Sequence, residues 1–75
     1  MAKPISKEDR DFCWMYGRYF REFYPEVTWD SGMLQLQDGW FNVRGPSTVT
    51  WAEAEPHVRV GWEAEARDQA RTVAI

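Results

Sequence analysis

One cysteine, Cys13, and one histidine, His57, are all that this 75-residue chain holds of either type. A lone cysteine excludes an intramolecular disulfide. One Cys with one His cannot close a four-ligand structural zinc site. There is no basic excess either: nine Lys and Arg against twelve Asp and Glu leave a formal net charge of −3. That balance argues against a general affinity for DNA or RNA, and it is too weak to mimic a duplex except as a local acidic strip. No apolar run approaches the roughly 20 residues needed to span a bilayer. Met1-Ala2-Lys3-Pro4 leads into no signal-peptide hydrophobic stretch. With the solitary thiol, these absences lead us to expect a cytoplasmic protein. No glycine-rich phosphate loop and no cluster of metal ligands occurs, so neither a metal nor a cofactor is expected.

What the chain does have is aromatic mass. Five Trp, four Phe and three Tyr occur within 44% apolar and 28% charged residues. The length specifies one domain over 1–75, with 1–5 as an N-terminal tail. A core this small supplies roughly 3–5 kcal/mol unaided. Dense aromatic packing and self-association are the compensations expected, so a homo-oligomer is anticipated.

Ser6 is placed to cap a helix, with Glu8 and Asp9 in its first turn. Helical spacing runs to about Tyr24, where Pro25 stops it. Phe12, Tyr16, Tyr19, Phe20 and Phe23 share one stripe, read as core, with Met15 at its edge. Arg10, Trp14, Arg18 and Arg21 share the opposite face. Beyond Pro25 the spacing reads as alternation. Asp30-Ser31-Gly32 looks like a turn, and Asp38-Gly39 separates Met33–Gln37 from Trp40–Arg44 as a two-residue hairpin would. That register puts Leu34, Leu36, Phe41 and Val43 on a covered face and Met33, Gln35, Gln37, Trp40, Asn42 and Arg44 on an open one. Gly45-Pro46-Ser47 reads as a connector. Thr50 and Glu53 form a capping box, with Val49 and Ala54 as a hydrophobic staple. A helix to about Arg71 is expected, with Trp51, Val58, Trp62, Ala66 and Val73 on one stripe and a kink or break near Pro56. Val58-Arg59-Val60 also alternates as a strand would, but the alanines, the cap and the Glu63/Arg67 pair favour helix. The fold class predicted is α+β: an N-terminal helix, a two- or three-stranded antiparallel meander, and a C-terminal helix, both helices on one sheet face. Gly17 in mid-helix, and Gly61 later, read as notches for close helix approach.

Catalysis has little to work with. Cys13 and His57 have no third group that their spacing would associate, and the pairs Glu53/Glu55 and Glu63/Glu65 fall two apart, off any common helix face. The chain is also short for the walls of a substantial pocket. No catalytic residue is assigned and no enzyme is expected. Two surfaces stand out as partner-binding candidates. Arg10, Trp14, Arg18 and Arg21 combine the residue types enriched at interface hot spots. Met33, Trp40 and Arg44 lie on the open sheet face, whose edge invites a partner strand. The alternative for Trp14 is packing against its own chain, such as Val73-Ala74-Ile75, with arginine stems alongside.

The expectation is a non-enzymatic protein-binding module, of the kind a phage or mobile element uses to block a host complex sterically, as anti-CRISPR proteins do. The host target would be a protein partner, conceivably a nucleic-acid-processing complex, with direct nucleic-acid contact disfavoured. A structural homodimer and a nucleic-acid-contacting accessory protein are the alternatives.

Overall fold

The structure, a computed structural model, describes residues 5–45 and 47–73. Most of the 1–5 tail, Pro46 of the connector, Ala74 and Ile75 lie outside the described residues, as does the side chain of Val73. Three helices form: α1 (Lys7–Phe23), α2 (Trp29–Val43) and α3 (Trp51–Val73).

The start and stop signals of α1 act as the sequence specifies. Ser6 accepts a hydrogen bond from the Asp9 backbone N–H at 3.1 Å, and the helix ends one residue before the Tyr24-Pro25 step. The cap of α3 is likewise as read. Thr50 N–H donates to the Glu53 carboxylate at 3.0 Å, while Glu53 N–H donates to Thr50 Oγ1 at 3.3 Å. The Thr50 N–H, and the Thr50 hydroxyl donating to the same carboxylate oxygen at 3.0 Å, hold the Glu53 carboxyl below its usual range. Val49 and Ala54, the proposed staple, both join the core cluster. Residues 57–62 are helix, not strand.

The meander does not exist. Among the described residues there is no strand, and the domain is all-helical rather than α+β. Residues 29–43 wind as a single helix capped by Thr28, whose hydroxyl accepts from Ser31 N–H at 3.4 Å. The physical reason is a period that competes with alternation: Trp29, Met33, Leu36 and Trp40 recur at spacings of four, three and four. Three of them are buried and Met33 packs against them. The two supposed turns lie inside the helix. Gly32 and Gly39 fit beneath α1, where added Cβ atoms would fall 2.8 Å from the Phe20 ring and from the Tyr16 hydroxyl. The chain reverses at Gly45 instead, which adopts φ +59° just after the C-cap Arg44, a left-handed conformation that glycine tolerates. The connector is therefore where the sequence places it.

The break that Pro56 could have caused does not occur. α3 continues as one helix through this residue. Proline there removes the hydrogen bond to the Ala52 carbonyl. Both Ala52 and Pro56 are exposed, so water can serve that carbonyl.

Side-chain pairings fix the topology. Tyr16 hydroxyl donates to the Leu36 carbonyl at 2.8 Å, Phe12 and Trp40 ring centroids lie 5.9 Å apart, and Phe20 abuts Gly32, so α2 runs antiparallel to α1. Trp14 meets Gly61, Arg18 meets Glu65, and Arg21 meets Gln69, so α3 runs parallel to α1. The α1–α3 contact is the intimate one. A Cβ on Gly17 would overlap the Val58 carbonyl oxygen, and one on Gly61 would overlap the Trp14 carbonyl oxygen. The glycine Cα–H bonds that take those directions point at carbonyls, a weak hydrogen bond recurrent where helix backbones touch. Cys13, Ala54 and Val58, each 0% exposed, complete this small-residue seam. Both glycines serve as the notches that the sequence suggests. α2 closes the third side with larger side chains, Trp29, Leu36 and Trp40.

Candidate functional site

The seam decides which way α1 faces. Because Cys13 and Gly17 point at α3, and Tyr16 and Phe20 toward α2, the stripe expected as core divides. Tyr16 and Phe20 pack against the core, whereas Phe12, Tyr19 and Phe23 are exposed. The other expected core aromatics divide too: Trp51 and Trp62 pack against the core, and Phe41 lies outside.

Conversely, most residues expected at a docking surface make contacts within the chain. The Arg18 guanidinium lies 5.0 Å from the Trp14 ring centroid and reaches Glu65 at 3.2 Å and Asp68 at 2.9 Å on α3. Arg21 covers the Trp62 ring at 4.6 Å, and its Nε donates to Gln69 Oε1 at 3.1 Å. Gln69 Nε2 returns a bond to the Arg21 carbonyl at 3.1 Å. Trp14 is half-buried, with its backbone against Gly61 of α3; the alternative cover, the Val73 side chain with Ala74 and Ile75, lies outside the described residues. Arg10 is exposed and, with Lys7, Asp11, Trp14, His57 and Val60, lines a pocket of about 270 Å³.

With the open sheet face gone, Met33 is half-buried against the core and Trp40 is 3% exposed. Trp40 Nε1 donates to the Val49 carbonyl at 2.9 Å, and Arg44 Nη1 donates to the same oxygen at 3.0 Å. The Arg44 guanidinium lies 4.2 Å from the Phe41 ring centroid. Trp40 and Arg44 do come together in a concavity of about 510 Å³, between the end of α2 and the start of α3.

The surface that the sequence reading missed is the outer face of α1. Phe12, Met15, Tyr19 and Phe23 recur at spacings of three, four and four, and all are exposed, Phe23 to 75%. The signal that could have found it is the pair of small residues Cys13 and Gly17, which mark the close-approach side and turn this stripe outward.

The one thiol is free and buried. Burial, and secondarily the negative charge of Asp9, push Cys13 up to about 11. The neutral thiol therefore dominates at pH 7, and thiolate reactivity is suppressed. Burial also raises the Tyr16 hydroxyl above its ordinary value. We expect Cys13 to react with a disulfide reagent only as fast as the domain unfolds. Rapid stoichiometric labelling of the native protein, before any loss of helical signal, would contradict the burial.

Together these features describe a small three-helix domain with a closed aromatic core and an apolar outer face on its first helix. No protein-family model, no curated protein and no solved structure matches the chain. Among the described residues, no helix is long and apolar enough to cross a membrane.

Proposed function

We propose that this chain is a non-enzymatic protein-binding module that docks its partner on the outer face of α1. The observation that carries this reading is the exposure of Phe12, Met15, Tyr19 and Phe23 along one helical face. The core cluster forms from other residues, and of these four only Phe12 has a ring contact with it, at Trp40. Large contiguous apolar patches are uncommon on proteins that have nothing to bind, and aromatic side chains dominate interface hot spots. The protonated state of Cys13 supports a role without nucleophilic chemistry. In a cytoplasmic setting such a module would act by occupying a surface on its target, as a small phage or mobile-element inhibitor of a host complex does.

The test is a Tyr19→Ser/Phe23→Ser variant of the tagged protein. Exposed substitutions change stability by within about 0.5 kcal/mol each, so thermal unfolding is expected to move only slightly while partner capture is lost. Capture that survives both changes would remove this face from the function. A large fall in melting temperature would show that the two rings are structural.

A further inference from the structure

The outer face of α1 carries charge of one sign. Glu8 lies four residues before Phe12, Asp11 four before Met15, and Glu22 three after Tyr19, so each carboxylate borders the apolar stripe. All three are exposed, and exposed Glu26 follows just beyond the helix. Lys7 is nearby but is engaged by Asp11 at 3.0 Å. The helix's arginines are committed elsewhere: Arg18 and Arg21 to α3, and Arg10 to the pocket beside Trp14 and His57. Acid therefore borders the stripe while Arg18 and Arg21 turn to α3; Asp11, shared with Lys7, also lines the pocket beside Arg10.

We propose that this face receives a basic amphipathic helix of a partner protein. Its apolar residues would lie on Phe12, Met15, Tyr19 and Phe23, and its lysines or arginines against Glu8, Asp11 and Glu22. The proposal rests on the docking-module reading and gives the partner its chemistry. From Phe12 to Phe23 the stripe spans about 16 Å at the helical rise, a match for three or four turns of partner helix. Docking of an apolar helix face by anchors at such spacings is a general mode of recognition, with charge complementarity setting orientation and partner choice. The same charge weighs against the other occupants. A second copy would bring two acidic borders together, and an anionic membrane would repel them.

The experiment uses the full chain and two labelled 14-residue helical peptides. Both carry leucine at heptad positions a and d; one has lysine at its remaining positions and the other glutamate. Fluorescence anisotropy should show the lysine peptide binding at least about tenfold more tightly, with affinity falling as salt is raised. Glu8→Lys/Asp11→Lys/Glu22→Lys should reverse the peptide preference. Phe23→Ser, which leaves every charge in place, should weaken the lysine peptide by about tenfold. Equal affinity for both peptides would overturn the proposal, as would lysine-peptide binding that Phe23→Ser does not change. A dimer in sedimentation that Phe23→Ser dissociates, or uptake onto vesicles containing phosphatidylserine, would likewise overturn it by giving the face another occupant. If cellular partner capture needs Tyr19 and Phe23 but survives the charge reversal, the docking module stands and its basic-helix partner falls.

Discussion

Gly61→Ala is expected to destabilise the domain severely, although alanine is the better helix former. In an exposed helix the exchange would stabilise by about 1 kcal/mol. Here the new methyl group would occupy the position of the Trp14 carbonyl oxygen, with Trp14 Cα within 2.9 Å. A backbone carbonyl inside a helix cannot rotate aside as a side chain can. α1 and α3 must therefore separate, loosening the Cys13, Ala54 and Val58 packing that their proximity creates. Overpacking of this kind costs about 1–3 kcal/mol or more, and the rigidity of the obstacle puts our expectation near 3 kcal/mol net. In a domain of this size that lowers the melting temperature by about 12–24 °C. Gly17→Ala, which aims its methyl group at the Val58 carbonyl, should behave alike. Denaturant titrations followed by circular dichroism measure both. A Gly61→Ala protein as stable as wild type would show that the seam is not closed as described.

The second large effect separates neighbours. Trp40→Ala should cost about 3–5 kcal/mol, the range for deleting a buried large aromatic side chain. Trp40 is 3% exposed, lies among Phe12, Tyr16 and Trp51 with ring centroids 5.8–6.2 Å away, and donates to the Val49 carbonyl. Phe41→Ala should cost about 1 kcal/mol at most. That ring is 75% exposed and gives up mainly its contact with the Arg44 guanidinium. A hairpin through Asp38-Gly39 requires the opposite order, since it puts Phe41 inside and Trp40 outside. Measuring both variants under one set of conditions therefore tests helix α2 itself, and a more damaging Phe41→Ala would refute it.

Local signals at the chain's two outer helices were legible. Ser6, Pro25 and the Thr50/Glu53 box act through neighbouring backbone, so their meaning does not depend on tertiary surroundings. Residues 29–43 were misread because Asp38-Gly39 has a strong local meaning that packing overrides. Gly39 is where the Tyr16 hydroxyl passes, and a side chain there would crowd it. Several docking candidates have partners within the chain for a related reason. Arg18 and Arg21 look solvent-directed on a helical wheel, but α3 presents Glu65 and Asp68 to the first guanidinium group and Trp62 and Gln69 to the second. A wheel ranks faces by hydrophobicity, whereas this fold chose its closest face by size. Trp14 was recognised as unusual, and its role as the carbonyl against which Gly61 rests was not visible without the partner helix.

The parallel seam also sets the order of events when the chain is made. α1 is synthesised before α2 and α3, and its most intimate partner is the later of the two. Until α3 has emerged, α1 and α2 can meet only through rings such as Tyr16, Phe20 and Trp40, with the Gly17 notch open. Pairings that distant in sequence slow folding relative to a hairpin of neighbouring helices. The nascent chain would thus expose the small-residue seam of α1 as well as its aromatic outer stripe until α3 has been made. Completion of α3 buries one side, and only then is the outer stripe the sole apolar face that α1 offers to another protein.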